Sequence, residues 1–119
     1  MFNEGVKGGI LVEPWYKIDK KIKNRNYSKK DLLSYLSHSN DAVLYNTLHE
    51  IAKEKICDDK DIIEKITKIA LGEDPASQKG FIVTSIRIVA IATLKELGIT
   101  NIFESLDENK KNAVKGVFP

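Results

Sequence analysis

A chain of 119 residues with 42% hydrophobic and 30% charged side chains has the size and composition of one globular domain. It can bury about two-thirds of its unfolded surface without help from a metal or disulfide. The single Cys57 excludes an internal disulfide. With no apolar run of membrane-spanning length and no basic start leading into an apolar stretch, a cytoplasmic protein with no membrane segment is expected. The net charge of +2 is unevenly laid out. Residues 1–30 carry eight Lys/Arg against three Asp/Glu, and residues 31–76 carry five against ten. This predicts either two opposed surface fields or two parts of the molecule that attract each other.

Residues 1–13 are glycine-rich with one apolar cluster, Ile10, Leu11 and Val12. They read as an extended arm, too short and isolated to make a sheet. Pro14 suits the first turn of a helix over residues 14–26, with Trp15, Ile18 and Ile22 on its buried face. Ser28 and Asp31 form a capping box ahead of Leu32, Leu33, Tyr35 and Leu36. Residues 37–41 are a turn in which Ser39 or Asn40 caps the next helix. That helix reaches about Ile56, with Leu44, Leu48 and Ile51 in one row and Val43 and Thr47 beside it. Residues 29–56 are thus a first helical pair.

Residues 60–98 make a second pair. Asp58, Asp59 and Asp61 stand at a helix start, where the dipole favours carboxylates. Ile62, Ile63, Ile66, Ile69 and Ala70 give its buried face, and Gly72 suits the residue after its end. Asp74 followed by Pro75 reads as an N-cap and first helical residue. The pattern from there predicts a helix to Leu97, either unbroken or split near Gly80, where glycine costs about 1 kcal/mol relative to alanine. A strand over residues 81–84 has no visible partner. Residues 86–98 are apolar on almost every side, hold one arginine and end at Gly98, so this helix must lie between others. Two short helices near residues 101–106 and 107–115 complete the stretch 100–117.

The spacing Ile86-Arg87-x-x-Ala90-x-x-x-Leu94-x-x-Leu97-Gly98 resembles the second helix of a HEAT repeat. Residues 32–56 are similar: an apolar pair, a polar turn, then Val43-x-x-x-Thr47-x-x-x-Ile51, with Leu44 where the family usually has arginine. The likeness covers residues 31–98, and 77–84 look like an insertion. It implies an all-α fold of stacked antiparallel helical hairpins, about two repeats with flanking capping helices. An irregular α-bundle is the alternative. It also implies that Arg87 is a structural brace between repeats and that the second helix of each pair lines a concave face. On that face Tyr45, His49 and Lys53, at i, i+4 and i+8, form a ridge presented to a partner.

Catalytic and metal signals are absent from the spacing. His38, His49 and Cys57 form no zinc pattern, and Cys57 reads as a small buried thiol. The carboxylates Asp31, Asp41, Asp58, Asp59, Asp61, Asp74 and Asp107 cluster at helix starts, where capping explains them. No phosphate-cradling loop is present, and no cofactor is expected. The basic stretch with Trp15, Lys17, Lys20, Lys21, Lys23 and Arg25 fits a solvated helix face, or lysines answering the acidic middle. It also has the cation–aromatic mix that tracks a nucleic-acid backbone. The leading expectation is a non-enzymatic protein-binding module: an adaptor, an inhibitor or an immunity-type protein that neutralises a toxin. Nucleic-acid binding through residues 15–30 is the second.

Overall fold

The computed structural model describes residues 13–80 and 84–118, together with the backbone of two dipeptides of the arm. Those are β1, Val6–Lys7, and β2, Ile10–Leu11, paired antiparallel with Val6 opposite Leu11. The arm thus forms a minimal ladder where the sequence predicts none, because an antiparallel pairing closes with only two residues on each side. All other regular structure among the described residues is helical. It comprises α1 (Trp15–Lys23), α2 (Lys29–Tyr35), α3 (Asp41–Lys53), α4 (Lys60–Ala70), a 3-10 turn (Pro75–Gln78), α5 (Ile86–Glu96), α6 (Asn101–Glu104) and α7 (Glu108–Lys115).

Most starts follow from local chemistry. Ser28 and Asp31 exchange side-chain and backbone bonds in a full capping box. Asn40, Asp59, Ser85 and Asp107 each accept a hydrogen bond from a first-turn N–H of α3, α4, α5 and α7. Each such cap satisfies a donor that the helix leaves open, worth about 1 kcal/mol. Pro14 is the residue before α1, one position earlier than expected.

Four helix ends share one device. In α1, α3, α4 and α5 the chain turns through a left-handed residue while the next N–H reaches back to the last turn. The bonds are Asn26 N–H to Lys21 O, Ile56 to Ile51, Glu73 to Lys68 and Ile99 to Leu94. Gly72 (φ 80°) and Gly98 (φ 86°) fill two of these left-handed positions at little cost. Arg25 and Lys55, both at φ 54°, fill the other two, although a side chain there is strained by about 1–2 kcal/mol. Each basic side chain pairs with an acid at the end of the neighbouring helix. Arg25 lies 3.1 Å from Glu54, and Lys55 Nζ donates to Glu96 O at 2.9 Å and approaches its carboxylate at 3.4 Å. The C-terminal ends of α1, α3 and α5 are therefore stitched side by side.

Helix α5 is the enclosed element. Seven of its eleven residues are buried, and it packs against α3, α4, the 3-10 turn, α6 and α7. The two neighbouring layers meet it with Leu44, Leu48 and Ile51 from α3 and Ile62, Ile66 and Ile69 from α4. Thr93 bonds back to Val89 O and across to Leu48 O, tying α5 to α3. Phe103 of α6 lies beneath the ammonium groups of Lys95 and Lys111, 5.2 and 5.7 Å from its centroid.

The unbroken helix over residues 75–97 does not form. Asp74 and Pro75 open only the 3-10 turn, and α5 starts afresh at Ile86. Ser77 Oγ donates to Ile69 O, and Ile86 N–H bonds to Lys79 O. The turn is thereby held on α4 and tied to the start of α5. Lys65 grips Asp74 at 2.5 Å in the least exposed ion pair among the described residues. Gly80 and Ser85 form an isolated antiparallel bridge, and Gly80 N–H reaches Asp41 of α3 at 3.3 Å. Residues 81–83, which include most of the discounted strand, lie outside the described residues.

The apolar neighbours of Arg87 along α5 do not shield it: its side chain is exposed and projects past the end of α4. Its Nε still donates to Ala70 O at 3.1 Å, one of the carbonyls that α4 leaves open. Gly72 makes room: a Cβ there would lie 3.2 Å from the guanidinium carbon.

The split at Gly80 has a measurable consequence. A Cβ on Gly80 would come within 2.8 Å of Ser85 Cα and 2.9 Å of Thr84 O. Gly80→Ala is expected to destabilise the fold by about 1–3 kcal/mol, the range for overpacking, in chemical denaturation. In an unbroken helix the same change would stabilise it.

Candidate functional site

The ridge and part of the basic stretch converge in one groove between α1 and α3. Its volume is about 430 Å³, and Tyr45, His49 and Lys53 share its lining with Lys23 and Arg25. Asp19, Ile22, Asn46 and Glu50 complete it. The register comes from Asn46, which donates to Asp19 at 3.1 Å, and from the Arg25–Glu54 pair. Buried Ile18 and Ile22 seat α1 against α3.

Glu50 is buried to 7% exposure, and the phenol of Tyr27 donates to it at 2.5 Å. Burial, then the bond to Glu50, pushes the Tyr27 phenol well above its ordinary value. Burial raises Tyr35 as well, with the carboxylates of Glu13 and Asp31 acting in the same direction. The walls of the groove alternate in sign. Lys23 pairs with Asp19 at 3.2 Å and Arg25 with Glu54, while His49 and Lys53 stand exposed on the α3 side.

The groove continues past α3. A second hollow of about 350 Å³ shares His49 and Lys53 with the first and is bounded by Lys55, Glu96, Val117 and Phe118. The Phe118 ring meets the imidazole of His49 edge-on at 5.0 Å, and the Tyr45 ring lies 5.9 Å from it. His49 thus contacts two aromatic rings and lines both hollows of a mixed-charge furrow. The first groove's lining holds no serine, threonine or cysteine. It offers ion pairing, hydrogen bonding and aromatic contact.

The remaining candidates fall elsewhere. Lys21 bonds Glu13 at 2.6 Å, which raises its pKa, and Lys29 pairs with Asp58 at 2.6 Å, which lowers that of Asp58. With Lys23 and Arg25 also paired, much of the basic stretch meets acids, two of them in the acidic middle of the chain. Lys17 and Lys20 are exposed. Trp15 is 52% exposed, not on the buried face, and stacks edge-on with Tyr16 at 5.9 Å. Helical side chains lean toward the N-terminus, so the ring of a first helical residue projects beyond the helix instead of onto α3.

His38 accepts the Asn40 N–H at Nδ1, so its proton lies on Nε2, which bonds Glu13 O at 3.0 Å. That is a structural tie between the α2–α3 turn and the residues entering α1. Cys57 is exposed, contrary to the buried thiol expected, because α3 ends four residues before it. Among the described residues no cluster of three or more His, Cys, Asp or Glu is placed to hold a metal, and no helix is long and apolar enough to cross a membrane.

The sequence reading missed Glu50, Tyr27 and Phe118. Glu50 carried a signal: it lies seven residues after Val43 and three after Thr47, on the buried side of α3, where a carboxylate needs a donor. Phe118 carried none, since its contact depends on how the chain returns after α7. No family model matches the chain, and neither a curated protein nor a solved structure is significantly similar to it.

Removing the Tyr27 hydroxyl isolates a buried acid. Tyr27→Phe is expected to destabilise the protein by about 1–3 kcal/mol in urea denaturation. In the unfolded chain the phenol loses its proton near 10, whereas in the fold it keeps it to higher pH. Above that point the folded state holds more protons, so stability falls as pH rises. The fall should be shallower in Tyr27→Phe than in the wild type.

Proposed function

We propose that this chain is a non-enzymatic protein-binding module, built in the manner of stacked HEAT-like hairpins, whose partner docks along the α1–α3 furrow. The observation that supports the reading is the convergence of Tyr45, His49 and Lys53 with Lys23 and Arg25 in one groove. A furrow of alternating charge with aromatic contacts suits a partner surface of complementary polar and aromatic groups, and charge pattern sets specificity. An adaptor, an inhibitor or a toxin-neutralising role in the cytoplasm fits a module of this size, on fold analogy.

Affinity capture from native cells tests it, using the wild type beside a Tyr45→Ala, Lys53→Glu double variant. The expected result is a protein retained at high salt and captured about tenfold less well by the variant, as for loss of interface anchors. Equal capture by both proteins would refute the furrow.

The exposed Trp15 and Tyr16 beside Lys17 and Lys20 favour one second reading, nucleic-acid binding at α1. It requires oligonucleotide affinity that falls steeply with salt. Lys17→Glu and Lys20→Glu should then abolish that affinity, and unchanged binding would end this reading.

A further inference from the structure

A further hollow lies between α5 and α7, separate from the α1–α3 furrow and sharing no lining residue with either of its two hollows. Its volume is about 400 Å³, within the range of sites that enclose a small organic ligand. Ile88 and Ile91 of α5, Leu106 and Ala113 supply apolar walls, and Arg87 and Lys110 supply cations. The other lining residues, Ser85 and Asn109, are uncharged.

The balance of charge distinguishes this hollow. In the α1–α3 groove, Lys23 and Arg25 stand beside carboxylates. Here two cations line an apolar cleft with no carboxylate in the lining. Of the two acids nearest in sequence, Asp107 caps α7 through the Lys110 N–H, and Glu108 is exposed and stands outside the lining. Arg87 spends only its Nε on Ala70 O. The rest of its guanidinium has no ion pair among the described residues, and neither does the Lys110 ammonium.

Apolar walls with cations and no counter-charge complement one kind of molecule: a small acid with an aliphatic body. We propose that the α5–α7 hollow binds a free, monomeric aliphatic carboxylate. Its tail lies against Ile88, Ile91 and Leu106, and its carboxylate meets Lys110 and Arg87. Burial of the tail provides the driving force, and the cations select the acid over neutral molecules of the same shape.

Octanoate, octanol and acetate separate these contributions in a titration of the whole chain followed by amide chemical shifts. Octanoate is expected to saturate with shifts centred on α5 and α7. Octanol should bind about fivefold or more weakly, because it lacks the charge. Acetate should not saturate, because it lacks the tail. Lys110→Glu should weaken octanoate about fivefold without changing octanol, and Ala113→Phe should block both by filling the cleft. Both substitutions are at exposed positions, and circular dichroism verifies the fold. The proposal is overturned if octanol binds as well as octanoate, if neither variant alters binding, or if shifts centre on the α1–α3 groove or never saturate. None of these results bears on protein capture by the furrow.

Discussion

A helix that is apolar on nearly every side cannot rest on a surface, and α5 is such a helix. Full burial of an Ile or Leu side chain contributes about 1.5–3 kcal/mol, and α5 places Ile86, Val89, Ile91 and Leu94 at or below 3% exposure. It obtains that burial only if α3, α4, α6 and α7 surround it. Ala90 and Ala92, both buried, keep its surface low enough for close approach. The rest of the architecture follows: α4 and α3 sit against α5, α2 meets both, and α1 reaches the assembly through α3.

That order explains why strain is tolerated at two helix ends. Arg25 and Lys55 occupy a backbone region that glycine would fill more cheaply, yet each reaches the acidic end of the next helix. Basic groups at helix C-termini also oppose the negative end of the dipole. Exposed ion pairs contribute little stability by themselves. Their consequence here is register: with the ends of α1, α3 and α5 side by side, Asn46 meets Asp19, and the α1–α3 groove takes its shape.

Local chemistry was legible in the sequence wherever one short segment decides it. Ser28 with Asp31, Asn40, Asp59, Gly72 and Gly98 all mark boundaries where the helices begin or stop. What depends on neighbours was not legible. The stretch from Pro75 reads as helix, but contacts of Ser77, Gly80 and Ile86 with α4, α3 and Lys79 hold a turn and bridge instead. Arg87 has apolar helical neighbours, but its exposure is set by where α4 ends. Tyr45, His49 and Lys53 were readable as a ridge, whereas their meeting with Lys23 and Arg25 required knowing that α1 packs on α3. The fate of the basic stretch was similarly tertiary, since Arg25 and Lys29 find their acids in Glu54 and Asp58.

The same asymmetry bears on the proposed docking at the furrow. One wall of the furrow, α3, is backed by α5, whereas the other, α1, is held through α3 alone among the helices it packs against most. A rigid wall facing a less supported one suits a surface that adjusts to a partner. Native-state hydrogen exchange tests this hierarchy most directly. The account predicts that amides from Val89 to Leu94 exchange only through global unfolding, while those of Ile18 and Ile22 exchange through a smaller, earlier opening. Protection of α1 equal to that of α5, or an opening of α5 before α1, would contradict it.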